Sequence, residues 1–174
     1  MTHFKILISM IGILSFSFVP LTFAQVKVGQ RAPDFVTSTL DGKRFVLKDY
    51  LKQPDNKILI LTFFATWCEL CGEDLQYLQR LNDQYGDRGL RVFCVFTGRL
   101  SKIKAAKKYM EELNVNLPIL LDKKKVVSKP YKVPGLPCHY VIDREGLMRF
   151  KCIGCGEAVK RKFEEKLRSL LGVS

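Results

Sequence analysis

Apolar positions along this chain fall into distinct rhythms, and each predicts a different element. Residues 58–65 form an unbroken apolar run, which predicts a strand buried on both faces, because a half-exposed strand would alternate apolar with polar. Behind it, Leu75, Leu78, Leu81 and Tyr85 recur at three- and four-residue steps up to Gly86, the spacing of an amphipathic helix. A second apolar strand is predicted over residues 91–96, and Ser101 stands where it could cap a helix running to about Leu113. Strand, helix, strand, helix of these lengths predicts parallel pairing through a right-handed crossover.

The flanks read differently. Short extended stretches at 35–39 and 44–47 are joined by Asp41-Gly42, a turn pair that closes hairpins, so a hairpin precedes the main fold. Gln53-Pro54-Asp55-Asn56 is a loop, and 117–121 is a short extended segment leading into Asp122 and a lysine-rich connection. After Val133-Pro134-Gly135-Leu136-Pro137, strands at 138–142 and 147–152 meet across Asp143-Arg144-Glu145-Gly146, a turn short enough to make them antiparallel. Residues 157–171 close the chain as an amphipathic helix, with Phe163, Leu167, Leu170 and Leu171 on its apolar stripe and Gly172 as its stop.

Residues 1–24 belong to neither rhythm. His3 and Lys5 precede an apolar run at 6–19, then Pro20 and Thr22-Phe23-Ala24, the three zones of a secretory signal with a small-residue cleavage site. The run falls short of the roughly 20 apolar residues a membrane span needs, so an uncleaved anchor is the lesser alternative. The expectation is a periplasmic or secreted protein whose residues 25–174 form one domain, long enough to bury a core without staples. Charge adds a constraint. The chain has 29 lysines and arginines against 17 acids, a net charge of +12. The excess gathers at 102–108, 123–132 and 160–168, as solvated faces or as a docking surface for an acidic partner or an anionic membrane. No aromatic-interleaved basic stripe or nucleic-acid motif is present, so no nucleic-acid partner is expected.

The candidate chemistry sits where the buried strand meets the helix. Cys68 and Cys71 are spaced C-x-x-C there, and the pattern puts Cys68 in the first helical turn, where free backbone N–H groups favour a thiolate. Such a pair can close a disulfide, open it by exchange and close it again. The alternative is half of a zinc site, which would need two more ligands from four other cysteines and His139. Asp74 lies one helical turn beyond Cys71 on the same face, placed either to accept its proton or as an ordinary first-turn acid favoured by the helix dipole.

Taken together, Gly29-x-x-Ala32-Pro33-Asp34-Phe35, Asp41-Gly42, Phe64-Ala65-Thr66-Trp67-Cys68-x-x-Cys71, Gly135-Leu136-Pro137 and Ile142-Asp143-x-x-Gly146 resemble the exported TlpA/ResA-like thioredoxin family over residues 25–174. The resemblance implies an α/β thioredoxin fold, a three-layer α/β/α arrangement around a central mixed sheet, with the N-terminal β-hairpin as an extension. It implies a thiol-disulfide oxidoreductase in which Cys68 attacks a protein disulfide and Cys71 resolves it. Pro137 would be cis beside the sulfurs, with Trp67, Leu136 and Pro137 meeting substrate. The substrate could be the heme-attachment cysteines of apocytochrome c, and an exported or membrane-bound thiol reductant would recharge the pair. No cofactor and no metal is expected.

Some residues depart from the family. Leu70 replaces a common proline, Gln76 stands where the helix often carries another, and Asp74, beside Glu73, replaces a glutamate. Thr62 occupies the place of the buried aspartate of cytoplasmic thioredoxins. Cys94, mid-strand, reads as a small buried hydrophobe, while Cys138, next to Pro137, is a packed thiol or a modulating partner. Cys152-Ile153-Gly154-Cys155 is a second C-x-x-C outside the family pattern: a staple, a second redox pair, or a metal clamp with His139 or Cys138. Two rival functions stand beside the reductase. A thiol peroxidase would share the Ala32-Pro33-Asp34-Phe35 opening but needs a threonine three residues before the attacking cysteine, where this chain has Ala65. A copper-binding chaperone would space its cysteines one residue wider.

Overall fold

A computed structural model describes residues 26–154 and 156–173. The leader expected at 1–24 and Cys155 lie outside the described residues. Seven strands form one sheet in the order β2-β1-β5-β4-β3-β6-β7. At its centre β3 (Ile58–Phe64) is buried at every position, as its continuous run, apolar but for Thr62, requires. It pairs in parallel with β4 (Leu90–Phe96) and antiparallel with β6 (Cys138–Asp143). Beyond β4 come β5 (Ile119–Leu121) and the hairpin of β1 (Val36–Thr39) and β2 (Arg44–Val46); β7 (Met148–Ile153) closes the other edge. The mixed sheet with flanking helices is the thioredoxin fold, extended by the hairpin.

Side chains alternate across the strands, and the two faces build separate cores. Ile58, Ile60 and Phe64 of β3 face helices α2 (Cys71–Tyr85), α3 (Ile103–Glu112) and α5 (Glu157–Leu171), whose Leu75, Leu78, Met110, Phe163 and Leu167 close over them. Leu59, Leu61 and Phe63 face the opposite way, towards Phe35, Phe45, the short helix α1 (Leu47–Leu51) and Tyr131 at the end of α4 (Ser128–Tyr131). The turn motifs have concrete uses. Asp34 Oδ1 accepts the backbone N–H of Lys48 at 3.1 Å, tying the opening motif to α1. Asp143 Oδ1 accepts the Leu147 N–H at 2.8 Å, and Gly146 takes the positive φ of 79° that this turn demands.

Two expectations need correction. Cys68 is not in the first helical turn: α2 begins at Cys71, and Cys68 sits in the tight turn ahead of it, its carbonyl accepting the Cys71 N–H at 3.1 Å. Ser101 caps nothing; it lies inside a 3-10 turn, Leu100–Lys102, that leads into α3. The lysine-rich connection, to which the sequence assigned no element, holds a 3-10 turn at Lys123–Lys125 followed by α4. Both α1 and α4 are too short to show a helical period. Tertiary burial of Leu47, Leu51 and Tyr131 fixes them instead.

Candidate active site

The C-terminal end of β3 delivers the turn Ala65-Thr66-Trp67-Cys68 to the N-terminus of α2, and Cys68 and Cys71 are joined there as a disulfide with Cα atoms 5.4 Å apart. The two sulfur residues are not equivalent: Cys71 is fully buried, whereas Cys68 keeps 7% of its surface in solvent. The residue before each is open, Trp67 at 74% and Leu70 at 66% exposure, large apolar side chains displayed rather than buried. The Leu136-Pro137 peptide is cis. Because Phe63 pairs in register with Cys138, the start of β6 brings this loop alongside the end of β3 and the turn that follows it.

Beneath the disulfide lies a chain of polar groups inside an otherwise apolar core. Asp74 is 5% exposed and His139 2%. His139 Nε2 lies 3.0 Å from Asp74 Oδ2, and its Nδ1 lies 2.9 Å from Thr62 Oγ1. With a carboxylate at Asp74, Nε2 must donate, and in the neutral ring Nδ1 then accepts from the Thr62 hydroxyl, so each group supplies what its neighbour lacks. Lys160 of α5 extends the chain, its Nζ 3.8 Å from Asp74 Oδ1 and over the Tyr77 ring. Register explains the convergence: Thr62 of β3 is opposite His139 of β6, on the face that α2 and α5 cover. Asp74 is a first-turn acid, as the sequence placed it, but one that is buried and hydrogen-bonded. Sequence reasoning weighed His139 only as a metal ligand and took Thr62 only as a missing aspartate; strand register, invisible without the fold, is what joins them.

The other cysteines separate. Cys94 is fully buried in β4 and burial pushes its thiol far above the ordinary range. Cys138 is buried in the core on the α1 and α4 face, whereas Cys152, in register with His139, is buried on the α2 and α5 face, so the sheet stands between them. Gly154 donates its N–H to the Pro137 carbonyl at 2.9 Å, which ties the bend after β7 to the cis-proline loop. Among the described residues no group of three or more His, Cys, Asp or Glu is placed to hold a metal ion. Ala65, three residues before Cys68, is fully buried and supplies no hydroxyl.

Two concavities flank the disulfide turn. One, of about 690 Å3, runs from Trp67 along Lys125, Lys129 and Lys132 to Leu136. The other, of about 330 Å3, lies between Leu70, Glu73 and Asp74 on α2 and Glu157 and Lys160 on α5.

Comparison with known proteins agrees with this architecture. Residues 28–151 match the AhpC/TSA family. The thioredoxin-like protein YneN of Bacillus subtilis is 31% identical over 142 residues, 82% of this chain and 79% of that protein. The thiol-disulfide oxidoreductase ResA of Geobacillus thermodenitrificans is 32% identical over 145 residues, 83% of this chain and 79% of its own length. Among solved structures, a candidate thiol:disulfide interchange protein DsbE from Chlorobium tepidum superimposes with a TM-score of 0.75 at 25% identity, covering 85% of this chain and 100% of that one.

Proposed function

We propose, for a chain that belongs to the AhpC/TSA family and to its ResA-like thiol-disulfide oxidoreductases, that reduced Cys68 and Cys71 pass electrons to a protein disulfide outside the cytosol. The observation that carries this direction of attack is the unequal exposure of the pair: only Cys68 reaches solvent, so only Cys68 can meet a substrate sulfur first. Its thiolate attacks one sulfur of the substrate disulfide, that bond breaks, and a mixed disulfide forms while the first substrate thiol leaves. Cys71 then gives its proton to the Asp74 carboxylate one turn along α2 and attacks the Cys68 sulfur. The mixed disulfide breaks, the second substrate thiol departs, and the enzyme is left with its Cys68–Cys71 bond. Both substrate sulfurs depart as thiolates, the first taking from solvent the proton that Cys68 had released and the second taking the one held by Asp74, which returns to its carboxylate; two electrons have moved to the substrate, and a dithiol reductant of the exported compartment must restore the pair.

Trp67 and the Leu136-Pro137 loop supply the substrate contacts. An extended peptide can lie along the loop backbone ahead of β6, where its own N–H and C=O groups add as a short strand. The resemblance to ResA proteins favours the C-x-x-C pair of apocytochrome c as the peptide, and the sequence of residues 1–24 favours export. Cys152 and Cys155 are read as an accessory pair, structural or redox.

Trapping tests the reading. Cys71→Ser should accumulate a covalent adduct with a disulfide-bonded C-x-x-C-H peptide, seen by mass spectrometry, and Cys68→Ser should form none. A reduction potential of the pair near −270 mV marks a reductase, and one near −120 mV an oxidant. Reduction by Cys68→Ser within about tenfold of the parent rate, a difference of only about 1.4 kcal/mol in barrier, would overturn the assignment.

A further inference from the structure

The two concavities beside the disulfide differ in charge, and the difference is built into the fold. The larger is lined by Lys125, Lys129 and Lys132, and its one acid, Asp122, is 9% exposed and turned to the backbone: its Oδ1 accepts the N–H groups of Val127 at 2.8 Å and Ser128 at 3.2 Å. The smaller is lined by Glu73, Asp74 and Glu157 against Lys160 alone. Trp67 stands at the basic groove and Leu70 at the acidic cavity, so the reactive turn lies between opposite charges.

The basic wall is also held in shape. Lys124, Lys125 and Lys132 adopt positive φ values of 53°, 58° and 47°, backbone that side-chain-bearing residues avoid unless the surroundings impose it. The Asp122 cap, the Lys125 N–H bonded to the Asp122 carbonyl at 3.1 Å and the Val133 N–H bonded to the Ser128 carbonyl at 3.2 Å do the imposing. Lysines on a solvated loop need no such scaffold. These are presented along one side of a groove that ends at Leu136, beside the cis-proline.

We propose that this groove takes an acidic stretch of the protein substrate flanking its disulfide, so that the substrate enters with its negative side towards Lys125, Lys129 and Lys132 and its neutral or basic side towards Glu73 and Glu157. This rests on the reductase reading for what the substrate is, but the groove can be tested without any sulfur chemistry. Long-range attraction steers the encounter, and the opposite charge on the far side of the turn rejects the reversed orientation.

The test uses the oxidised full chain and three disulfide-free peptides with serine in place of cysteine, flanked on one side by glutamates, glutamines or lysines. Calorimetry reads affinity. Emission of Trp67, the protein's single tryptophan, reads location. The glutamate peptide should bind about tenfold more tightly than the glutamine one, about 1.4 kcal/mol gathered from several exposed ion pairs. The lysine peptide should bind most weakly, and the preference should fade in about 1 M salt, where charges are screened within about 3 Å. Lys125→Gln/Lys129→Gln/Lys132→Gln should abolish the preference. Lys104→Gln/Lys107→Gln/Lys108→Gln, the same charge change on α3 outside the groove, should keep it. Equal affinity for the three peptides, or equal loss in both triple variants, would overturn the proposal. So would a Trp67 response to phosphatidylglycerol vesicles with none to the glutamate peptide, which would make the lysines a membrane contact. Failure of the adduct to form with Cys71→Ser would instead remove the reductase reading and leave the peptide result standing.

Discussion

A carboxylate and an imidazole buried side by side are costly unless each completes the other's hydrogen bonding, and Asp74 and His139 do so with Thr62 as the third member. The arrangement fixes the Asp74 side chain, and on the proposed mechanism, in which Asp74 takes the Cys71 proton, His139 is the positioning residue for that transfer. His139→Phe keeps an aromatic ring, somewhat larger than the imidazole, and removes the donor; resolution of the mixed disulfide should slow about tenfold or more, the cost of a hydrogen bond to a charged group, and the adduct should build up in rapid-quench samples. His139→Gln, which can still donate to Asp74, should recover part of the rate. Unaltered resolution in His139→Phe would leave the pair a purely structural one. Cys68, Cys71 and Asp74 could all be singled out in the sequence, because C-x-x-C spacing and a three-residue helical step are local. His139 could not, since 65 residues separate it from Asp74 and only strand register brings them together.

Among elements, the lysine-rich connection was the least legible. A charge run reads as solvated helix faces and loops without saying which, and nothing periodic marks the 3-10 turn or α4 inside it. What organises it is one side chain, Asp122, accepting two backbone N–H groups across five and six residues. Asp122→Ala should cost about 1–2 kcal/mol, the range of a lost cap, and should open the segment to trypsin well before the sheet unfolds; Asp122→Asn, which retains an acceptor, should restore most of the protection. Comparable tryptic rates for all three proteins would show that the cap does not hold the segment. The strands and long helices, by contrast, were legible to within a residue or two, because a double-sided strand and a 3.6-residue stripe carry their own signatures. The start of α2 was misread by one turn, since no residue pattern distinguishes a tight turn from the helix it feeds.

For the molecule as a whole, burial raises the Tyr131, Tyr140 and Cys94 groups, so the folded state keeps protons that the unfolded chain gives up near pH 8.5 for the thiol and pH 10 for the phenols. Stability from these groups is fully present below those values and is lost as pH rises above them, by up to about 1.4 kcal/mol per pH unit for each. Urea unfolding across an alkaline series should show a plateau ending near pH 8.5 and a fall that steepens past pH 10. Tyr131→Phe should flatten the steeper part; an identical slope would mean another group drives it. The opposite end of the sheet carries a different consequence. Residues 29–32 are stitched to the β6–β7 turn, Gly29 to Met148 at 2.7 Å and Ala32 to Gly146 at 2.8 Å, while the cysteine pair sits past the far end of β3, seven residues or roughly 20 Å away. The described chain therefore enters the domain at the pole remote from the sulfurs, so a tag or bead coupled at that heel leaves the reactive tip clear to meet a large substrate.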